Sequence, residues 1–368
     1  MKEIINLECC NEKTLEYSEI FNQAFSENIW IHLFPKHGNK ISIPLELLPK
    51  GPGIIISTGG STGGNHLCLH PSTHLDQSAE ATGAWLKEEG IDPKKCLIFN
   101  SLPFNHVSGL MLWWRSRVWG AKHIWLQSKS MKRPKDLLDL SNKNQEDEGC
   151  RLITSLVPTQ ITRLINNPIG IKWLKSFSII WVGGSNLSLE LANAARKLNI
   201  KLAPCYGTTE TTAMISVLRP YEFLQGYADC GNPLKDVEIS LDKDNNLKIK
   251  TNRLTKYLWK NGSFIDIKDE NGWWRSGDVA EIISENDIER LKIIGRRDTA
   301  ISSGGETVFP EILENKLKIA AREKNIKVND IYFLPIKDKE WGNRMIALIR
   351  WGEEIQKDRS ERLLNSLR

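Results

Sequence analysis

Between residues 53 and 205 short apolar runs alternate with helix-length amphipathic stretches. Strands are expected over 53–58, 95–101, 122–127, 151–156, 178–182 and 200–205, and helices over 72–89, 108–119, 134–145, 158–167 and 188–198. The last of these helices sets Leu191, Ala194, Ala195 and Leu198 on one face. Strands that alternate with helices close into a mostly parallel, doubly wound sheet, because each crossover helix must cover a sheet face. The first fifty residues carry little pattern and end in the punctuation Pro49-Lys50-Gly51-Pro52-Gly53. After about residue 213 the rhythm changes to short strands with turns such as Asn271-Gly272, which predicts a small antiparallel, barrel-like section over 214–295. A final α+β piece follows: strand 299–302, helix 310–322, strands 328–336 and 344–350, and helix 357–367.

The segment Ser57 to His66 has four glycines and four hydroxyl residues directly after Ile54-Ile55-Ile56. Glycines let backbone N–H groups approach a ligand, and serine and threonine hydroxyls add donors. Between a strand and a helix, such a loop is a cradle for phosphate. It is not the common P-loop, because Asn65-His66 stands where Lys-Ser/Thr belongs. A flexible connector would have the same composition.

Three later segments point the same way. In Tyr206-Gly207-Thr208-Thr209-Glu210, tyrosine offers a flat face to a base, threonines donate to phosphate, and Glu210 can hold Mg²⁺ directly or through water. The same residues could instead begin a polar helix, with Thr208 or Thr209 as its cap. Asp278, just after Gly277, could accept from two ribose hydroxyls or be an ordinary turn aspartate. Arg296-Arg297-Asp298 with Ser303-Gly304-Gly305-Glu306 suits a ligand clamp or an interdomain hinge. In doubly wound sheets, ligands sit beyond the carboxyl ends of the strands.

Composition narrows the remaining classes. Of 368 residues, 40% are apolar and 26% charged, and the net charge is +5. That balance, without a basic stripe, gives no nucleic-acid binder. No apolar run reaches the length of about 18 residues that a membrane span requires, and there is no basic-then-apolar leader. Seven cysteines without C-x-x-C read as reduced thiols in a cytoplasmic protein, with no structural metal. Most of the thirteen tryptophans are expected to pack in cores.

Taken in order, the segments over about 53–315 resemble the adenylate-forming enzymes, which include acyl- and aryl-CoA synthetases. Thr58 through His66 is similar to their phosphate loop. Leu102-Pro103-Phe104-Asn105-His106-Val107-Ser108-Gly109 is similar to the motif beside their acyl site, and Gly183-Gly184-Ser185 to the segment lining the adenine and acyl pockets. The resemblance implies ATP-binding by Thr58, Gly60, Ser61, Thr62, Gly63, His66, Gly184, Tyr206, Gly207, Thr208, Asp278 and Arg296. It implies acid binding by His106, Ser108, Gly183 and Ser185, catalytic parts for His106, Thr209, Glu210 and Asp298, and magnesium at Glu210. It implies a large domain over 1–296, a hinge at 297–298 and a small domain from 299 to 368 that is cut short. The expected reaction joins a small carboxylic acid to coenzyme A through an acyl-adenylate, with ATP and Mg²⁺.

Within the family, the compact chain and the Leu-Pro-Phe-Asn-His-Val-Ser-Gly phrase look most like the 2-succinylbenzoate–CoA ligases of menaquinone and phylloquinone synthesis, in their short cyanobacterial form. Rival readings are a ligase for a simple benzoate or a fatty acid, and a non-catalytic nucleotide-binding relic. Two departures favour the relic: Asn65-His66 replaces the usual Pro-Lys, and no Gly-Lys follows Gly305 where the family carries its adenylation lysine.

Overall fold

Ile54, Ile55 and Ile56 are each at most 1% exposed, so this strand is covered on both faces. A run apolar on both sides is what an interior strand of a layered sheet requires. The computed structural model describes residues 4–9, 14–58, 66–145, 149–260, 262–285, 288–304 and 306–352.

Following the chain, β1 (Ile5–Cys9), α1 (Thr14–Ser26), β2 (Trp30–Pro35), β3 (Gly53–Ser57), β4 (Leu67–Pro71) and α2 (Ser72–Glu88) come first. Next are β5 (Cys96–Asn100), α3 (Val107–Trp119), β6 (Lys122–Trp125), α4 (Pro134–Asn144), β7 (Arg151–Leu156), α5 (Pro158–Ile165) and α6 (Pro168–Lys175). Then β8 (Ile179–Val182), α7 (Leu189–Lys197), β9 (Leu202–Thr208), β10 (Ala213–Val217), α8 (Pro220–Gln225) and β11 (Asn232–Pro233). The antiparallel part holds β12 (Val237–Leu241), β13 (Asn246–Thr251), β14 (Tyr257–Lys260), β15 (Ser263–Asp266), β16 (Trp274–Glu285) and β17 (Ile288–Arg296). Last come β18 (Ile301–Ser303), β19 (Glu306–Val308), α9 (Pro310–Glu323), β20 (Val328–Asp338) and β21 (Gly342–Trp351).

Two large sheets result, of order β1-β2-β3-β4-β14-β15 and β11-β10-β9-β8-β7-β5-β6. In the second, β6, β5, β7, β8 and β9 run parallel, so their carboxyl ends share one edge. Helices α2 and α3 lie between the sheets. Leu75, Ala79, Leu110, Met111, Trp113 and Trp114 join the core of the first sheet, while Trp85, Leu86 and Leu112 join that of the second. This explains why α3 is buried all round from Gly109 to Ser116. Helices α4 to α8 cover the opposite face of the second sheet. A third sheet, β12-β13-β16-β17, is antiparallel, and the β14–β15 hairpin leaves it to extend the first sheet. Near the end of the described chain, Arg322 of α9 makes an ion pair with Glu190 of α7.

Several expectations need correction. The first fifty residues are structured: β1 and β2 pair in parallel with β3, and Tyr17, Phe21 and Ala24 bury one face of α1. Polar residues hid the pattern, because buried His32 meets Asn6 Oδ1 through Nδ1 at 2.9 Å inside an otherwise apolar run. The glycine-rich segment does not join a strand to a helix. It joins antiparallel β3 and β4, and the Thr58 N–H donates to the His66 carbonyl at 2.8 Å. Residues 209–212 are a turn between antiparallel β9 and β10, not a helix start. The helix expected at 357–367 lies outside the described residues.

Candidate active site

The carboxyl edge of the second sheet collects His106 after β5, Gly183-Gly184-Ser185 after β8 and Tyr206 through Glu210 at β9. His106 is the N-cap residue of α3 with no side-chain cap bond, and both His106 and Ser108 are exposed. Gly184 takes φ +81°, a left-handed value that a residue with a Cβ adopts only with strain. Gly207 is required by space: a Cβ there would stand 2.1 Å from the Ala213 carbonyl across the hairpin.

Tyr206 reaches out of this edge to the third sheet. Its hydroxyl donates to Asp278 Oδ2 at 2.5 Å, across 72 residues of chain. Asp278 of β16 pairs with Arg296 of β17, whose guanidinium lies 3.8 Å from Asp278 Oδ1. The same guanidinium donates to both carboxylate oxygens of Asp298, from Nε at 3.1 Å and Nη2 at 3.2 Å. Burial pushes the Asp278 carboxyl up, against the opposing pull of Tyr206 and Arg296. Tyr206 is pushed well up by burial and by the Asp278 charge, and so stays a hydrogen-bond donor. The Asp298 carboxylate and then Asp278 raise Arg296. The result is a polar cluster carrying one exchangeable proton donor, two acids and one fixed cation.

The turn that presents Thr209 and Glu210 is held through its carbonyls. His70 Nε2–H donates to the Thr209 carbonyl at 2.8 Å, and the Thr255 N–H to that of Glu210 at 2.8 Å. Arg253 donates to Thr211 at 2.6 Å and Met214 at 2.8 Å, and the Ser78 hydroxyl to Thr212 at 2.7 Å. These bonds offset local strain, since Thr212 (φ 55°) and Ala213 (φ 74°) are both left-handed without being glycine. The carbonyls of residues 209–212 are all engaged, while the Glu210 side chain accepts no hydrogen bond among the described residues. A single unengaged carboxylate fits a magnesium ion that takes its other ligands from phosphate and water. No group of three or more metal-ligating side chains occurs among the described residues.

Thr58 and His66 close the base of the β3–β4 hairpin, and His66 Nε2 is buried without a partner among the described residues. Gly60, Ser61, Thr62, Gly63 and, further on, Gly305 lie outside the described residues. The structure thus joins Tyr206, Asp278, Arg296 and Asp298 by direct contact. It puts His106, Gly183, Gly184 and Ser185 on the same sheet edge without a hydrogen bond to that cluster. His70, Ser78, Arg253 and Thr255 were not singled out from sequence. His70 has a trace there, as a histidine closing the apolar run Leu67-Cys68-Leu69. Arg253 has none, because only tertiary structure reveals that it is fully buried.

The buried histidines make stability depend on pH. His32 and His70 are each 2% exposed. Burial lowers His32 to about 4, and burial with neighbouring His74 lowers His70 to about 3. Both are neutral when folded at pH 7, whereas in the unfolded chain they protonate near 6.5. Stability should be level above about pH 6.5 and fall as the pH drops towards 4, by up to about 1.4 kcal/mol per unit for each. Urea unfolding at pH 7, 6 and 5 reads this, and a flat profile would contradict neutral burial.

Comparison with known proteins places the chain. Residues 16–253 match the AMP-binding enzyme family. The 2-succinylbenzoate–CoA ligase of Escherichia coli is 30% identical over 297 residues, 81% of this chain and 58% of that protein. The 2-succinylbenzoate–CoA ligase of Haemophilus influenzae is 30% identical over 320 residues, 85% of this chain and 62% of its own length. The chain therefore spans about 58–62% of these two relatives. Among solved structures, o-succinylbenzoate CoA synthetase from Bacillus subtilis in complex with the acyl-adenylate intermediate superposes with TM-score 0.72 at 20% identity, over 98% of this chain and 76% of that one. Its E. coli counterpart, bound to an analogue, gives 0.66 at 22% identity over 97% and 80%. These likenesses carry the fold. Among the described residues, no helix is long and apolar enough to cross a membrane.

Proposed function

Since the chain belongs to the AMP-binding enzyme family, we propose that it activates a carboxylic acid with ATP and transfers the acyl group to coenzyme A, with 2-succinylbenzoate as the acid. The observation carrying this is the contact of Tyr206, Asp278 and Arg296 at the carboxyl edge of a parallel sheet. A flat ring, a buried carboxylate and a fixed cation side by side suit adenine, ribose hydroxyls and phosphate in turn. The acid follows from relatives of that name.

In this reading the substrate carboxylate attacks the α-phosphorus of ATP. The bond to pyrophosphate breaks, and acyl-AMP remains. The thiol of coenzyme A then adds to the acyl carbonyl, its proton is lost to solvent, and AMP leaves. Asp278 accepts from the ribose hydroxyls and Tyr206 lies against the base beside Gly184. Gly207, Thr208 and Thr209 border the phosphates together with Thr58, Gly60, Ser61, Thr62, Gly63 and His66, while Arg296 faces their charge. His106, Ser108, Gly183 and Ser185 border the acid. Magnesium held by Glu210 would supply charge neutralisation on the phosphates. The work of the protein is positioning and electrostatic stabilisation, with no covalent enzyme intermediate. Asp298, clamped on Arg296 where the third sheet ends, is the hinge of a large domain (1–296) with a small one from 299 onward, and two poses would serve the two steps.

Pyrophosphate release with ATP, Mg²⁺ and 2-succinylbenzoate, and mass-spectrometric capture of the acyl-AMP, test the reaction. Release with a fatty acid or a simple benzoate in its place would reassign the acid. Tight ATP binding without release for any acid would mark a non-catalytic nucleotide binder. Asp278→Asn is expected to weaken ATP and AMP binding by roughly 10- to 100-fold, the worth of about 1.5–3 kcal/mol for hydrogen bonds to a charged acceptor. Unchanged affinity by calorimetry would remove Asp278 from the nucleotide site.

A further inference from the structure

Asn100 is the last residue of β5 and is fully buried, a polar side chain closing the apolar run Leu97-Ile98-Phe99. A buried amide is costly unless its donors and acceptor are used. Those of Asn100 are used largely on one loop. Its Oδ1 accepts from the Leu102 N–H at 3.1 Å, and its Nδ2 donates to the Gly109 carbonyl at 2.8 Å. The other Nδ2 hydrogen goes to His123 Nε2 of β6, at 3.3 Å. Burial lowers His123 to about 3, so its ring is neutral and Nε2 can accept. The amide has one workable orientation, because Leu102 offers only a hydrogen there and Gly109 only an oxygen.

Residues 102 and 109 are the two ends of the segment that carries His106 and Ser108, both exposed at the carboxyl edge of the second sheet. Between those ends the chain makes a turn, with the His106 N–H on the Pro103 carbonyl at 3.1 Å, and enters α3. The turn is pressed onto the helix. A Cβ on Gly109 would stand 2.2 Å from the Pro103 carbonyl oxygen and 2.7 Å from that of Leu102. Phe104, in the middle of the turn, is buried in the core of the first sheet. One side chain therefore spans both ends of the loop and ties them to the end of β5.

We propose that Asn100 is a positioning residue for the acid: by clasping Leu102 and Gly109 it sets where His106 and Ser108 stand, and His123 holds the amide in place. The proposal rests on the ligase reading above. Asn100 acts only through the loop, so its effect falls on the acid. The nucleotide is spared, because Tyr206, Asp278 and Arg296 lie on other elements.

Two measurements on the whole chain test this. Hydrogen exchange of residues 102–109 reads the clasp without any acid. Calorimetry with AMP, and then with 2-succinylbenzoate in the presence of AMP, reads its use. Asn100→Leu is expected to speed exchange in this segment about 10-fold, to weaken the acid roughly 10-fold and to leave AMP within about two-fold. Asn100→Asp keeps the size and the acceptor for Leu102 but loses the donor to Gly109. It is expected to weaken the acid about 3- to 10-fold, and serves if the Leu variant does not fold. Thr154→Val is the control. It removes a buried bond from the Thr154 hydroxyl to the Phe99 carbonyl, 2.8 Å long and in the same sheet, and should cost stability without moving acid affinity. Unchanged exchange or unchanged acid binding in a folded Asn100 variant overturns the proposal and leaves the ligase reading standing, as does an equal loss of acid binding in Thr154→Val. An unaltered chain that binds AMP but not 2-succinylbenzoate overturns the choice of acid and this proposal with it.

Discussion

Arg253→Met is expected to destabilise the protein by about 2–4 kcal/mol, chiefly through two buried carbonyls that lose their donors. Arg253 is fully buried and is paired with Asp236 Oδ2 at 2.6 Å. Its loss would strip the Thr211 and Met214 carbonyls of their donors, at about 1–3 kcal/mol for each buried group left unmade. Methionine keeps much of the volume, so a cavity contributes little. Urea unfolding at pH 7 measures the change. A loss below about 1 kcal/mol for the single variant would mean that the turn holds itself. Since the same carbonyls fix Thr209 and Glu210, the variant should also lose ATP affinity at temperatures where it is still folded.

Glu210→Gln is expected to slow acyl-adenylate formation by roughly 10²–10³-fold, the range for losing one preorganised stabilising group. Glutamine preserves shape and removes the charge that would draw magnesium. Because the backbone of the turn is held by His70, Thr255, Arg253 and Ser78, the substitution should leave stability unchanged. Thioester formation from supplied acyl-AMP involves no polyphosphate and should persist. Asp298→Pro is the complementary case. Proline fixes φ near −65° and removes an N–H at the position read as the hinge. It should impair thioester formation from acyl-AMP more than adenylation, because that step needs the second pose. ATP–pyrophosphate exchange and thioester release, measured separately, decide. Equal slowing of both steps by both variants would end the two-pose reading.

The parts of this fold that were legible are those where burial and local pattern agree. Cys96 through Asn100 and Ile179 through Val182 are buried at every position, and such runs stand out in sequence. Tyr206 through Glu210 and Asp278 stood out because polar residues and glycines follow apolar strands. The β4 strand was missed because Leu67-Cys68-Leu69-His70 runs straight into a helix with no break between them. As a consequence the hydroxyl-rich loop was given a helix on its far side and not an antiparallel partner. Arg253 and His70 were passed over for a different reason. In sequence, a charged or titratable residue reads as solvated surface, and only packing between two sheets shows otherwise. Those are the residues on which the stability arguments turn.

The turn from Thr208 to Ala213 has one more consequence. Most of its partners come from residues 70, 78, 253 and 255, while its own sequence supplies the Thr211 hydroxyl bonds and the bond from the Thr212 N–H to the Thr209 carbonyl at 3.1 Å. The motif is therefore not portable. A peptide or a chimera carrying Tyr206 through Met214 would have the recognisable letters without their shape, and a transplant would have to bring the β4 histidine, the α2 serine and the Arg253–Thr255 segment with it. Any fragment of this chain ending before residue 253 would likewise contain every letter of the turn without the Arg253 and Thr255 bonds that help to hold it.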